Sequence, residues 1–101
     1  MNQKERTYIK KKLRETLSKE KEVSRIIIFG SFLNSKSPGD LDVAVFQNSK
    51  EKYLNLSLKY RKLTREIAKI IPLDIIPVME NSEGTFLNEI NMGEVIYEKR
   101  N

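Results

Sequence analysis

The stretch that decides the fold reads IIIFGS over residues 26–31 and DLDVAVF over residues 40–46. A short run of β-branched residues predicts a buried strand, and this strand should end at Gly30. In the second segment the side chains alternate with the period of a strand, so Asp40 and Asp42 should lie on the same face. The two segments therefore predict two strands, the second with an acidic beginning.

Helical and extended patterns surround these strands. In chain order they predict an amphipathic helix at about residues 4–21, a loop or one irregular helical turn at 32–39, a long amphipathic helix from Tyr53 to Ile70, a strand at 73–78, a short helix at 84–91 and a strand at 95–98. The long helix should begin after a capping pair at Asn48 and Glu51 and end before Pro72. Pro77 favours a sheet edge or a strand end, because proline cannot donate to the ladder. The order of elements predicts an α/β (α+β) fold.

Length and composition limit the classes of function. A chain of 101 residues fits a single domain over residues 1–101. It contains no cysteine and no histidine, which excludes disulfides, thiolate catalysis and the commonest general base. Any catalysis would therefore depend on carboxylates. The charged N-terminal segment and the lack of a long apolar run predict no membrane segment and a cytoplasmic location.

The chain carries an excess of positive charge. Its 19 lysines and arginines against 14 aspartates and glutamates give a net charge of +5, which would attract an anionic partner such as a nucleotide or a nucleic acid. Much of the excess lies in the N-terminal helix, where glutamates are interleaved with the basic residues at helical spacings. This pattern favours a solvated helix face, with a nucleic-acid-binding module as the alternative.

The acidic residues of the predicted strands form a candidate metal site. Asp40 and Asp42 would lie about 6 to 7 Å apart along one strand face and would repel each other without a cation between them. Magnesium prefers oxygen ligands and is typically held by one or two carboxylates together with substrate phosphates. If the strand that bears Asp74 lies beside the Asp42 strand, three carboxylates can hold two ions about 4 Å apart and support phosphoryl transfer. Asp74 would then serve as a metal ligand or general base.

A turn that suits phosphate follows the first predicted strand. At Gly30 and Ser31, backbone N–H groups and a hydroxyl can approach phosphate oxygens without hindrance from a β-carbon. Each feature alone has an ordinary explanation: Asp40 could close a turn, Asp42 could face solvent and Asp74 could pair with a lysine. The combination favours a metal and phosphate site.

In this combination the sequence resembles the DNA polymerase beta-like nucleotidyltransferase superfamily, and its end resembles the minimal branch of that family. The segments that carry the resemblance are IIFGS at 27–31, DLDVAV at 40–45, LDII at 73–76 and GEVIYE at 93–98, within a catalytic core of about residues 23–98. The resemblance implies a small mixed sheet of about four strands with helices packed on one side. It also implies that Asp40, Asp42 and Asp74 bind two magnesium ions and are catalytic. Gly30 and Ser31 would contact the triphosphate.

One feature departs from the family pattern. Many relatives carry arginines just after Gly-Ser, whereas this chain has Phe32, Leu33 and Asn34 there. Phosphate binding would therefore depend on Lys36 or on a partner protein.

The resemblance also implies an activity and a partner. Small members of this branch often pair with a helical HEPN protein in toxin-antitoxin systems, where they transfer AMP from ATP to a hydroxyl of the toxin. The alternative is a non-catalytic, antitoxin-like binding protein that neutralises its partner by occlusion. Tyrosines and leucines on the long helix leave a homo-oligomer or a hetero-complex open.

Overall fold

The computed structural model describes residues 1–100, which form four strands and five helices. In chain order they are α1 (Gln3–Leu17), β1 (Val23–Phe29), α2 (Ser31–Asn34), β2 (Leu41–Gln47), α3 (Tyr53–Leu63), α4 (Arg65–Ala68), β3 (Leu73–Met79), α5 (Thr85–Asn91) and β4 (Glu94–Glu98). The predicted α+β class is confirmed. Within the described residues, no helix combines the length and the apolar character needed to cross a membrane.

The four strands form one mixed sheet in the order β3-β2-β1-β4. Strand β2 runs parallel to β3, and β1 runs antiparallel to both β2 and β4. Pro77 lies in the edge strand β3, as its missing N–H predicts. At the other edge, Nε of Arg14 in α1 donates a hydrogen bond of 2.7 Å to the carbonyl oxygen of Ile96 in β4.

The two faces of the sheet are covered unequally. Helices α1, α3 and α4 pack on one face as predicted, but α5 packs on the opposite face, so the helices do not all lie on one side. The buried side chains of this core include Ile9, Leu13, Leu17, Ile26, Ile28, Val43, Val45, Leu56, Tyr60, Ile67 and Ile75. On the opposite face the short α5 alone contributes a buried side chain, Ile90, which clusters with Ile27, Phe29, Ala44 and Phe46. Most of the helical residues thus pack on the face that carries α1, α3 and α4, and among the described helices only α5 covers the opposite face.

The predicted long helix from Tyr53 to Ile70 is interrupted at Thr64, where the backbone leaves the helical region with φ −107° and ψ 19°. Thr64 is buried, and its Oγ1 donates a hydrogen bond of 2.8 Å to the carbonyl oxygen of Tyr60. A threonine side chain that bonds to the preceding turn bends or ends a helix. The segment is therefore two helices, α3 and α4.

One predicted helix cap and one predicted helix boundary are wrong. The pair Asn48 and Glu51 does not cap α3, whose N-cap is Lys52, because the backbone N–H of Glu51 is bound by Ser49 Oγ instead. Helix α1 ends at Leu17 and not near residue 21, because the chain turns there to enter β1.

Helix α3 is fixed near its C-terminal end by a buried tyrosine. Tyr60 is fully buried, and its Oη donates a hydrogen bond of 2.8 Å to Oε2 of Glu22. Nζ of Lys59 lies 2.9 Å from the same oxygen. Burial alone would raise the pKa of Glu22, but these hydrogen bonds, with one from its own backbone, outweigh that effect and lower it. These contacts fix the position of the C-terminal end of α3 relative to the segment that leads into β1.

Candidate functional site

All three aspartates of the chain meet at one end of the sheet. The ladders pair Asp42 with Asp74 across β2 and β3, and Asp42 with Phe29 across β2 and β1. Asp40 precedes β2 by one residue. One carboxylate oxygen from each of the three aspartates lies within 4.8 Å of the other two. Strands β2 and β3 are therefore neighbours, as the predicted cluster of aspartates requires.

The cluster carries more negative charge than its surroundings balance. Asp42 is partly buried, and this burial raises the pKa of its carboxyl group. The neighbouring carboxylates of Asp40, Asp74 and Glu89 raise the pKa further. A divalent cation would relieve this repulsion, and carboxylate oxygens are the ligands that Mg²⁺ prefers. The donor set therefore fits magnesium.

The turn between β1 and α2 lies directly against the aspartates. Gly30 has φ 79° and ψ −158°, a region that only glycine adopts readily. A β-carbon at this position would lie 2.6 Å from Oδ2 of Asp42. Ser31 Oγ donates a hydrogen bond of 3.3 Å to Oδ1 of Asp40. The structure thus brings both turn residues beside the carboxylates, and their contact with phosphate stays a prediction.

We expect Gly30→Ala to damage the site more than the fold. The substitution should cost about 1 to 3 kcal/mol of backbone strain, and its methyl group should displace the Asp42 carboxylate. Magnesium affinity, measured by isothermal titration calorimetry, should fall by about tenfold or more. Gly39→Ala is the matched control, since a β-carbon there meets nothing within 4 Å. Parental affinity in Gly30→Ala would show that this glycine does not set the carboxylate position.

A cleft of about 440 Å³ opens at the aspartates. It is lined by Phe29, Asp42, Tyr53, Arg61, Asp74, Ile75, Ile76, Phe86 and Glu89. Arg61 is the one basic residue in this lining, and Phe86 packs edge-on against Phe29 with ring centroids 5.9 Å apart. The sequence does not predict Arg61, Phe86 and Glu89 as site residues, because their approach to the cleft depends on how α3 and α5 pack. For Arg61 one signal was present: it is near the end of the helix that leads into the Asp74 strand.

A second hollow, of about 480 Å³, lies elsewhere on the surface and is slightly larger. It is lined by Lys21, Glu22, Ser24, Arg25, Asn48, Glu80, Glu98 and Lys99. These residues mix both signs of charge and include none of the aspartates. Size alone therefore does not identify the site, and the chemistry of the lining favours the aspartate cleft.

The basic residue predicted to bind phosphate does not line this cleft. Lys36 lies in the loop between α2 and β2, with an exposed side chain, and its carbonyl oxygen accepts a hydrogen bond of 3.0 Å from the N-terminal amine. Arg6 of α1 does reach α2, but it stacks on the Phe32 ring and donates to the carbonyl oxygens of Phe32 and Ser35. Arg6 therefore stabilises α2 and does not reach the cleft. The role of Lys36 in phosphate binding stays a prediction.

Comparison with known proteins gives concordant results. The model of the family described as Polymerase beta, Nucleotidyltransferase matches residues 11–101. A chain from the complex of tri-AMPylated Shewanella oneidensis HEPN toxin with MNT antitoxin is 18% identical, with a TM-score of 0.57, over 98% of this chain and 74% of that chain. A chain from a toxin-antitoxin MntA-HpeT mutant with two Asp-to-Glu substitutions is 20% identical, with a TM-score of 0.54, over 99% and 75% of the two chains. Among curated proteins no significant match is found.

Proposed function

Because this chain belongs to the polymerase beta nucleotidyltransferase family, we propose that it transfers AMP from ATP to a hydroxyl of a helical HEPN-family partner and neutralises that partner as an antitoxin. The main support for the proposal is the cluster of three aspartates beside the turn at Gly30. One carboxylate oxygen from each aspartate lies within 4.8 Å of the other two. The shared fold with a chain from a toxin-antitoxin complex supports the choice of partner. Because the toxin in that complex is tri-AMPylated, the proposal includes repeated addition of AMP.

Asp40, Asp42 and Asp74 would hold two magnesium ions in the proposed enzyme. When bound, such ions neutralise the triphosphate and lower the pKa of an attacking hydroxyl. The N–H groups of the turn at Gly30 and the hydroxyl of Ser31 would orient the triphosphate from the β1 side. This assignment explains why residue 30 is a glycine, since a side chain there would fill the space beside Asp42 that the triphosphate needs.

The transfer step needs a group that accepts a proton. The acceptor oxygen bonds to the α-phosphorus, the bond from that phosphorus to the bridging oxygen breaks, and pyrophosphate leaves. Asp74 is exposed at the cleft and can take the hydroxyl proton, whereas Asp42 is partly buried between its two neighbouring strands. We therefore assign Asp42 mainly to metal binding and Asp74 to metal binding and proton transfer.

The nucleic-acid alternative finds little support in α1. Three of its six basic side chains make contacts with other parts of the protein: Arg6 with α2, Lys10 with Glu94 at 2.9 Å, and Arg14 with β4. Fewer cations of this helix are therefore left for the row of phosphate contacts on which non-specific nucleic-acid affinity depends.

The proposal is tested by incubating the chain with α-labelled ATP and magnesium, with and without the protein encoded by the neighbouring gene. The matched variant is Asp40→Asn/Asp42→Asn, which should still bind that protein. Label on the partner only with the parent chain would support transfer. No label with any of the four nucleotides, despite tight binding of the partner, would instead support the occluding binding protein.

A further inference from the structure

Arg61 and the glycine turn lie on opposite sides of Asp42. Gly30 directly follows Phe29, which pairs with Asp42 from the β1 side, whereas Asp74 pairs with Asp42 from the β3 side. Adjacent strands lie about 4.8 Å apart, so the backbones of β1 and β3, which carry the turn and Asp74, are separated by about 10 Å. Arg61 belongs to the Asp74 side, because it lines both the cleft and a smaller notch with that aspartate.

Given the proposed function, this geometry determines from which sides of Asp42 the triphosphate and the acceptor enter the site. In phosphoryl transfer the attacking oxygen and the leaving group lie roughly in line on opposite sides of the phosphorus. If the triphosphate lies against Gly30 and Ser31, the acceptor must enter from the Asp74 side. Arg61 therefore faces the acceptor and not the leaving pyrophosphate.

The backbone of Arg61 is held in place, whereas its guanidinium group is free to bind a ligand. The preceding Tyr60 is fully buried, and Oγ1 of Thr64 donates to the Arg61 carbonyl oxygen at 3.4 Å. Over residues 1–100, none of the ion pairs within 4.0 Å involves the Arg61 guanidinium. A guanidinium in this state suits a phosphate, which it can bind through two parallel hydrogen bonds.

The acceptor of the first transfer and those of later transfers differ in charge. A serine or tyrosine hydroxyl brings no anion of its own to the cleft. A side chain that already carries AMP offers ribose hydroxyls and, a few bonds away, a negatively charged phosphodiester. An arginine on the acceptor side therefore interacts with the second kind of acceptor far more strongly than with the first.

We propose that Arg61 binds the phosphate of an AMP already attached to the acceptor, and so directs the second and later additions. In each such step a ribose oxygen bonds to the α-phosphorus of a new ATP and pyrophosphate leaves. The ribose hydroxyl proton passes to Asp74. Arg61 takes no part in the bond changes, so it is a positioning residue for a nucleotide-bearing acceptor.

The test is a time course of AMP addition to the partner protein with ATP and magnesium, followed by intact-mass spectrometry. Arg61→Gln should add the first AMP within about twofold of the parental rate and should slow the second addition by about tenfold or more. Arg61→Lys should fall between the two, because lysine keeps the charge but loses the planar fork. Lys62→Gln removes a charge from the same turn of α3 outside the cleft lining, and should match the parent.

Binding gives a readout that does not depend on turnover. Arg61→Gln should bind singly AMPylated partner about tenfold more weakly than the parent does, with unchanged affinity for unmodified partner. Equal effects on first and later additions, no effect on either, or a parent that stops after one AMP would each overturn the inference alone. A parent that transfers no AMP would overturn the proposed function as well.

Discussion

Replacing Asp42 with asparagine should lower the rate of the proposed AMP transfer by about a thousandfold or more while leaving the metal-free protein more stable than the parent. The loss of activity follows from the position of Asp42, which is paired with Asp74 on one side and lies beside the glycine turn on the other. The gain in stability follows from its environment, since burial and three nearby carboxylates disfavour its charge. One substitution should therefore move activity and stability in opposite directions.

The pH dependence of unfolding provides an independent check. The folded-state pKa of Asp42 is raised above 3.8, so its ionisation destabilises the fold as the pH rises from 3.8 through the raised value. At neutral pH the parent should melt a few degrees below Asp42→Asn, and magnesium should raise only the parental melting temperature. Glu83→Gln, an exposed charge removal outside the cleft lining, should change neither activity nor melting.

Two outcomes would contradict this account. Parental transfer activity in Asp42→Asn would show that the chemistry does not depend on the aspartate cluster. An equal magnesium-induced rise in melting temperature in both proteins would place the metal elsewhere.

Gly93→Ala should be the most damaging of the glycine substitutions. A β-carbon at Gly93 would lie 2.2 Å from the carbonyl oxygen of Ile28 and 3.0 Å from that of Ile90. These oxygens belong to β1 and to the end of α5, and neither can retreat without disturbing strand pairing or the helix that covers the second face. We expect a loss of about 2 to 4 kcal/mol, which lowers the melting temperature by roughly 10 to 20 °C.

Gly84→Ala separates the effect of crowding from that of backbone strain. Gly84 has φ 135°, yet a β-carbon there meets nothing within 4 Å. Its replacement should cost about 1 to 3 kcal/mol from conformation alone, at the exposed start of α5. Thermal unfolding that ranks Gly93→Ala as no worse than Gly84→Ala would mean that β4 and α5 do not pack as closely as described.

The strands were predictable because their signal is local. The run of isoleucines in β1 and the alternation in β2 each reflect burial on a sheet, and the structure has strands at both places. The convergence of Asp42 and Asp74 was conditional on strand order, which periodicity does not encode. The family resemblance supplied that order, and the pairing of Asp42 with Asp74 agrees with it.

The remaining differences arise from tertiary contacts. The break at Thr64 depends on a hydrogen bond to the preceding turn, whereas the apolar spacing continues across it. Arg61 and Glu89 reach the cleft from helices on opposite faces of the sheet, so their approach depends on helix packing and not on the local sequence pattern. The prediction for Lys36 rests on its closeness to Gly30-Ser31 along the chain, whereas in the structure its side chain lies outside the cleft lining.

The two edges of the sheet also bear on how the protein behaves when it is concentrated. Exposed edge strands tend to recruit strands from other molecules, which leads to aggregation. Here Pro77 withholds an amide donor from one edge, and Arg14 covers the carbonyl oxygen of Ile96 at the other. The addition of strands from other copies at either edge of the sheet should therefore be disfavoured when the protein is concentrated.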